Sequence, residues 1–147
     1  ADIRQFKAIN DTLGHHIGDL VLSMMGARLA QSGHTDGAPT RTVYRLSADQ
    51  FAIVIDDADL ERAEAIAHAI SQDCRRPYYV GRVALGAPVS VGLAMSAQNV
   101  APSVTLRQAD VALYAAKSAN SPVEVYHADM QRFTLENLML SAAVERA

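Results

Sequence analysis

Apolar positions recur at helical spacing in the first part of the chain. From Ala1 to Gly14, Phe6, Ile9 and Leu13 mark a short helix ended by a glycine suited to a C-terminal cap. A second helix is predicted from Gly18-Asp19, with Leu20, Leu22, Met25 and Leu29 on its apolar face and Asp19 at its favourable N-terminal end, stopping before Ser32-Gly33. Ser32 to Thr40 has no periodicity and carries loop chemistry. Two β-rich runs follow, Thr42-Val43-Tyr44-Arg45-Leu46 and Phe51-Ala52-Ile53-Val54-Ile55, separated by the small or polar residues Ser47 to Gln50. That pattern predicts a tight hairpin presenting Asp49 and Gln50 at its tip.

Beyond the hairpin, Leu60, Ala63, Ile66, Ala67 and Ile70 form one stripe of an amphipathic helix, with Asp56, Asp57 and Asp59 before it. Pro77 closes this segment, and Tyr78-Val80, Arg82-Leu85 and Val89-Met95 read as strands, the last apolar enough to be covered on both faces. Helical spacing returns over Ser103 to Ser118 through Leu106, Ala109, Leu113 and Ala116, then a strand over Val123-Tyr126 and a long helical pattern from Met130 to Ala147 carrying Phe133, Leu135, Leu138, Leu140 and Val144. Helices and strands interleave without a strict βαβ repeat, which predicts an α+β fold with a mixed central sheet flanked by helices.

At 147 residues, 50% hydrophobic and 20% charged, the chain suits one domain with its own core. A net charge of −3 without a long Lys/Arg run argues against a nucleic-acid surface, though not against a nucleotide. The single cysteine, Cys74, excludes an internal disulfide and a zinc ribbon and fits a reducing, cytoplasmic setting. No apolar run approaches the roughly 20 residues that span a bilayer, so no membrane contact is expected from this stretch, although a longer parent could be tethered.

Taken singly, the candidate chemical groups are modest. Asp2 and Asp49 are isolated acids of the kind that usually face solvent, Asn10 reads equally as a helix-surface residue, and Asp19 as an N-cap. His15-His16 lacks a third ligand, and His15 reads as a turn residue. Cys74 beside Arg75-Arg76 reads as a packing residue, Tyr78-Tyr79 as strand core, and Met24-Met25 as core filling.

In combination they resemble one family. Asp2-Ile3-Arg4-Gln5-Phe6-Lys7-Ala8-Ile9-Asn10-Asp11 is similar to D-[IL]-D-x-F-K-x-[IF]-N-D, and Gly14-His15-His16-Ile17-Gly18-Asp19 to G-H-x-x-G-D. Arg45-Leu46-Ser47-Ala48-Asp49-Gln50-Phe51 falls where R-L-G-G-[DE]-E-F is expected, Ser90-Val91-Gly92 matches S-[IV]-G, and Ala109 to Lys117 matches A-D-x-A-L-Y-x-A-K. The chain therefore resembles the GGDEF-type diguanylate cyclase domains, which share a nucleotide-cyclase/palm-like fold and join two GTP molecules into cyclic di-GMP. The family's first strand precedes its D-I-D motif, whereas this chain starts at Ala1-Asp2, so the expected sheet lacks that strand and the sequence reads as a piece of a longer protein.

The resemblance implies that Asp2, the Ile3 carbonyl and Asp49 would hold Mg²⁺, that Asn10 and Asp19 would read the guanine edge, and that Lys7 and Lys117 would lie near phosphates. The departures remove requirements of catalysis. Glycine lets backbone N–H groups approach a triphosphate, and Ser47 and Ala48 forfeit that; a left-handed Ala48 would add roughly 1–2 kcal/mol of strain. Gln50 replaces the second acid of the signature Ser47-Ala48-Asp49-Gln50-Phe51, and no catalytic residue is assigned there. Arg4 reverses a charge beside the metal site, Asn120-Ser121-Pro122 replaces G-R-N, and the product-inhibition motif R-x-x-D, which would run from Ala38 to Arg41, is absent. The implied organisation is a degenerate GGDEF domain over residues 1–128 and a linker helix over 129–147, the latter similar to the helix leading to EAL-type phosphodiesterase domains. The implied role is a silent regulatory domain with GTP, an attached EAL-type domain or a homodimer partner as its contacts. The alternatives are a low-activity cyclase and a structural dimerisation module.

Overall fold

The computed structural model describes residues 1–34 and 36–145. Its elements in order are β1 (Asp2–Ile3), α1 (Phe6–Leu13), α2 (His15–Gln31), β2 (Arg41–Arg45), β3 (Phe51–Ile55), α3 (Leu60–Cys74), β4 (Tyr78–Val80), β5 (Val83–Leu85), β6 (Val89–Leu93), α4 (Pro102–Ser118), β7 (Val123–Val125) and α5 (Ala128–Glu145). The chain forms two compact units, Ala1–Ser90 and Val91–Ala147, with the boundary inside β6. The first half of β6 pairs antiparallel with β1 and the second half parallel with β7, so the strand pairing is mixed and the fold is α+β.

In the first unit, α2 carries the core: Val21, Met25 and Leu29 are fully buried, and the helix packs on α1, α3, β2 and β4. The Asp59 carboxylate accepts the Arg62 N–H at 2.8 Å and caps α3, whose predicted stripe of Ala63, Ile66, Ala67 and Ile70 is buried. The far end of α3 is fastened to α2 by Arg28, whose guanidinium donates to the carbonyls of Asp73, Arg76 and Pro77 and lies 3.7 Å over the Tyr78 ring. Beneath it the Tyr78 hydroxyl and the Cys74 thiol both donate to Met25 Sδ, at 3.0 and 3.6 Å. Burial pushes the Cys74 thiol and the Tyr78 phenol up from their ordinary ranges, so Cys74 is an inert packing group.

In the second unit, α4 packs on β7 and α5, and Gly92 of β6 meets α4 so closely that a Cβ there would overlap the Ala109 carbonyl and the Leu113 backbone. That contact accounts for the glycine of Ser90-Val91-Gly92.

Several boundaries differ from the sequence expectations. Asp2-Ile3 is a strand, not the start of a helix, because the helical spacing begins only at Phe6. α2 opens at His15, with Gly14 at φ 89° both ending α1 and preceding α2, so Asp19 lies inside the helix and is not its cap, and His15 is helical. Of the tyrosine pair, Tyr78 is buried and Tyr79 is 65% exposed. The C-terminal helix starts at Ala128; the side chains of Phe133, Leu135, Leu138 and Val144 lie outside the described residues, and Leu140 is exposed.

Candidate functional site

Two places in the first unit gather the residues singled out by sequence. The first is a corner between α1 and α2. Phe6 and Ile9 anchor α1 by burial, which turns Asn10 toward the start of α2. There Gly18 leaves room for it: a Cβ on Gly18 would overlap Asn10 Oδ1, lie 3.0 Å from Asn10 Cγ and come within 3.2 Å of Phe6 Cζ. Asn10 Oδ1 is buried yet has no hydrogen-bond partner. An unsatisfied buried acceptor costs about 1–3 kcal/mol. Asp19 follows Gly18 directly and is exposed; because α2 starts at His15, helix capping does not account for its acid.

Gly18 was the residue of this corner whose role the sequence left unassigned. A glycine inside a helix costs roughly 0.5–1 kcal/mol relative to alanine, and that cost was the available signal.

The second place is the junction of β1 with the hairpin tip. β2 and β3 pair from Arg41↔Ile55 to Arg45↔Phe51, leaving Leu46 to Gln50 as the loop. The Gln50 carbonyl accepts from the N–H groups of Leu46 (2.9 Å) and Ser47 (3.3 Å), and Arg45 donates from Nε to the Ser47 carbonyl (3.1 Å) and from Nη2 to the Ala48 carbonyl (3.3 Å). Arg45 is thus a loop clamp that the motif contained without assigning. Ser47 and Ala48 are exposed, and neither has the positive φ found at Gln5, Asp57, Asn99 and Asn120. The left-handed strain considered for Ala48 is therefore absent. What distinguishes these residues from glycine is the volume of their side chains on an exposed loop.

β1 docks on this loop. Asp2 bridges Gln50, and the Ile3 N–H donates to the Asp49 carbonyl at 3.0 Å. On its other edge β1 pairs with β6, Asp2 opposite Ser90 and Ile3 opposite Val89. Asp2 and Asp49 are half-buried, and Ile3 is 2% exposed. Mg²⁺ takes oxygen donors, commonly one or two carboxylates completed by water and substrate phosphates. The carboxylates of Asp2 and Asp49 with the Ile3 carbonyl form a set of that chemistry, and the residues fit the ion on that ground. Among the described residues no cluster of three or more acidic, histidine or cysteine side chains could hold a metal by itself.

Lys7 is exposed on α1. Lys117 occupies the exposed last turn of α4 in the second unit, where its charge suits the helix C-terminus. Among the described residues no helix is long and apolar enough to cross a membrane.

Comparison with known proteins bears on both places. Residues 1–122 match the family described as diguanylate cyclase, GGDEF domain. The chain is 34% identical over 129 residues to the signaling protein YkoW of Bacillus subtilis, covering 86% of this chain and 16% of that protein. It is 34% identical over 122 residues to the response regulator PleD of Caulobacter vibrioides, covering 80% of this chain and 26% of that protein. It thus spans about a quarter or less of the length of these relatives. Among solved structures, an EAL/GGDEF domain protein from M. capsulatus superposes with a TM-score of 0.74 at 31% identity, over 86% of this chain and 81% of that one. The chain belongs to the GGDEF diguanylate cyclase family and has that family's nucleotide-cyclase/palm-like fold.

Proposed function

We propose that this chain is a GGDEF domain of cyclic di-GMP signalling that binds a guanine nucleotide but has lost the chemistry that joins two of them. The observation that carries the reading is the contrast between the buried, partnerless Asn10 Oδ1 beside Gly18 and the altered tip Ser47-Ala48-Asp49-Gln50. A buried acceptor oxygen without a partner suits the N–H edge of a purine such as guanine, and the Asp19 carboxylate one residue beyond Gly18 adds an acceptor for the same edge. Lys7, exposed on α1, contributes positive charge for phosphates.

Asp2, the Ile3 carbonyl and Asp49 would hold Mg²⁺. Bound there, the ion would supply charge neutralisation for the phosphates and polarise the attacked phosphorus. This chain's own residues no longer complete the reaction. Gln50 is a neutral amide and does not take up a proton at neutral pH, so it replaces neither a metal-binding carboxylate nor a base. Ser47 and Ala48 place side chains where close backbone approach to a triphosphate favours glycine. The domain, over residues 1–128, then acts by occupancy: nucleotide binding is passed through the C-terminal segment over 129–147 to an attached EAL-type domain or to a second protomer. A solved relative is described as an EAL/GGDEF domain protein, which supports that arrangement.

The test is incubation of the chain with GTP and Mg²⁺, with bound nucleotide and cyclic di-GMP both quantified. Binding without product is expected. Product that disappears in Asp49→Ala would establish the low-activity cyclase instead, and absence of binding at millimolar GTP would leave only a structural role.

A further inference from the structure

α3 turns one face to the core and leaves the opposite face without a partner. Ala63, Ile66, Ala67, Ile70 and Cys74 are buried, whereas Glu61, Ala65, His68, Gln72 and Arg75, spaced alternately four and three residues apart, are all exposed. Arg75 caps the helix with helical backbone (φ −74°, ψ −21°), so the stripe runs unbroken to it. Side chains at that spacing share one side of a helix and make the seam along which two helices pack. Charges flanking the stripe are used within the chain: Arg62 donates to the Gly37 carbonyl at 3.3 Å, and Arg76 pairs with Asp73. On the stripe itself, the side chains of Glu61, His68, Gln72 and Arg75 have no hydrogen bond or ion pair among the described residues. Glu61 and Arg75 stand at its two ends, seven residues either side of His68. A parallel copy of the stripe would set Glu61 against Glu61 and Arg75 against Arg75. A copy turned about a two-fold axis at His68 sets each Glu61 against the other copy's Arg75 and opposes the two helix dipoles. Between the axis and the ends, the small side chain of Ala65 lets the helices approach.

We propose that the exposed stripe of α3 is the seam of a two-fold dimer, occupied by the same stripe of a second, antiparallel copy of this chain and held by two Glu61–Arg75 pairs. Charge complementarity selects that occupant, because the stripe is its own complement in one orientation only. α3 has 15 residues and is about 22 Å long. A single seam of that length without a large apolar side chain is a small interface, so the association is weak and reversible. Exposed ion pairs there fix orientation and partner more than they add affinity. The dimer does not depend on the nucleotide-binding reading above; it names the surface through which a second protomer is engaged.

The test is sedimentation equilibrium of the chain from about 10 µM to about 1 mM at low salt, with no nucleotide present. The wild type is expected to pass from monomer toward dimer over that range. Glu61→Arg and Arg75→Glu each replace both attractions with repulsions and are expected to raise the dissociation constant at least about tenfold. In an equimolar mixture of the two variants, one carries arginine and the other glutamate at both positions, so both pairs are restored. That mixture is expected to associate within about threefold of the wild type, which loss of a merely structural residue would not allow. Circular dichroism confirms that each variant is folded. A wild type that stays monomeric at about 1 mM overturns the proposal, as do charge reversals that leave association unchanged, or a mixture that associates no better than either variant alone. If a charge variant does not fold, His68→Cys decides. At the axis this cysteine faces its own copy, while Cys74 is buried out of reach. With a mild added oxidant a disulfide-linked dimer is expected at least about tenfold faster than from Arg107→Cys, an exposed control on α4, and equal rates again overturn the proposal.

Discussion

The α1–α2 corner and the β2–β3 tip lie in the same unit and belong to the same family signature, yet they have fared differently. At the corner, Gly18 gives up a side chain so that Asn10 fits, and Asn10 keeps a buried acceptor without a partner. Both features cost stability. At the tip, Ser47 and Ala48 are exposed, free of left-handed strain and clamped by Arg45, and the loop is an ordinary stable turn. Strain or an unsatisfied group that persists points to a ligand, and its removal points to a lost task. On that logic the corner that we propose reads the base is kept, and the tip that we propose once handled phosphates is relaxed.

The largest effect is expected at a glycine belonging to neither place, which sets the scale. Gly92→Ala pushes a Cβ into the backbone of α4, and neither element has a flexible side chain to yield. A loss of about 3 kcal/mol or more is expected, read as a collapse of the denaturant midpoint.

At the corner, Gly18→Ala meets the amide of Asn10, which rotates away to make room. GTP affinity is expected to fall at least about tenfold with a smaller change in stability. Asn10→Ala sharpens the point by its sign. Removing an unsatisfied buried oxygen should leave stability unchanged or raise it by about 1 kcal/mol while GTP binding is lost. A clear loss of stability in Asn10→Ala would make the residue a structural one and end the contrast between corner and tip.

The scaffold behind the corner gives a pH test. Burial holds the Cys74 thiol and the Tyr78 phenol protonated in the folded chain above their ordinary ranges. The unfolded chain releases those protons first, so stability from this source is complete below the ordinary thiol value, about 8.5, and declines as pH rises above it. The melting temperature should fall between pH 8 and 10, and Cys74→Ala should flatten the first part of that fall.

At the tip, Ser47→Gly with Ala48→Gly should tighten GTP binding by a few-fold, and Gln50→Glu should yield turnover only when added to both. Titration of the three variants reads this directly. Glycines without effect on affinity would mean that side-chain volume is not what separates this loop from a phosphate cradle.

Much of this was legible from the chain. Phe51-Ala52-Ile53-Val54-Ile55 is a strand because β-branched and aromatic residues follow a polar break, and β3 has those bounds. The motifs singled out Asn10, Asp19 and Asp49 as candidates without a structure. The strand at Asp2-Ile3 was hidden because two residues give no periodicity, and its partners lie at Gln50 and Ser90, far along the chain. The start of α2 was misplaced because Asp19 looks like a cap, whereas the break is made by the backbone of Gly14. The fit of Asn10 over Gly18 depends on distances between elements that no local pattern encodes.

The central claim is a site that binds without reacting. Equilibrium titration of GTP into the chain, with the recovered nucleotide analysed for cyclic di-GMP, tests it most directly. The account predicts saturable binding that Gly18→Ala removes, and GTP recovered intact; cyclic di-GMP formed by the wild type and abolished by Asp49→Ala would contradict it.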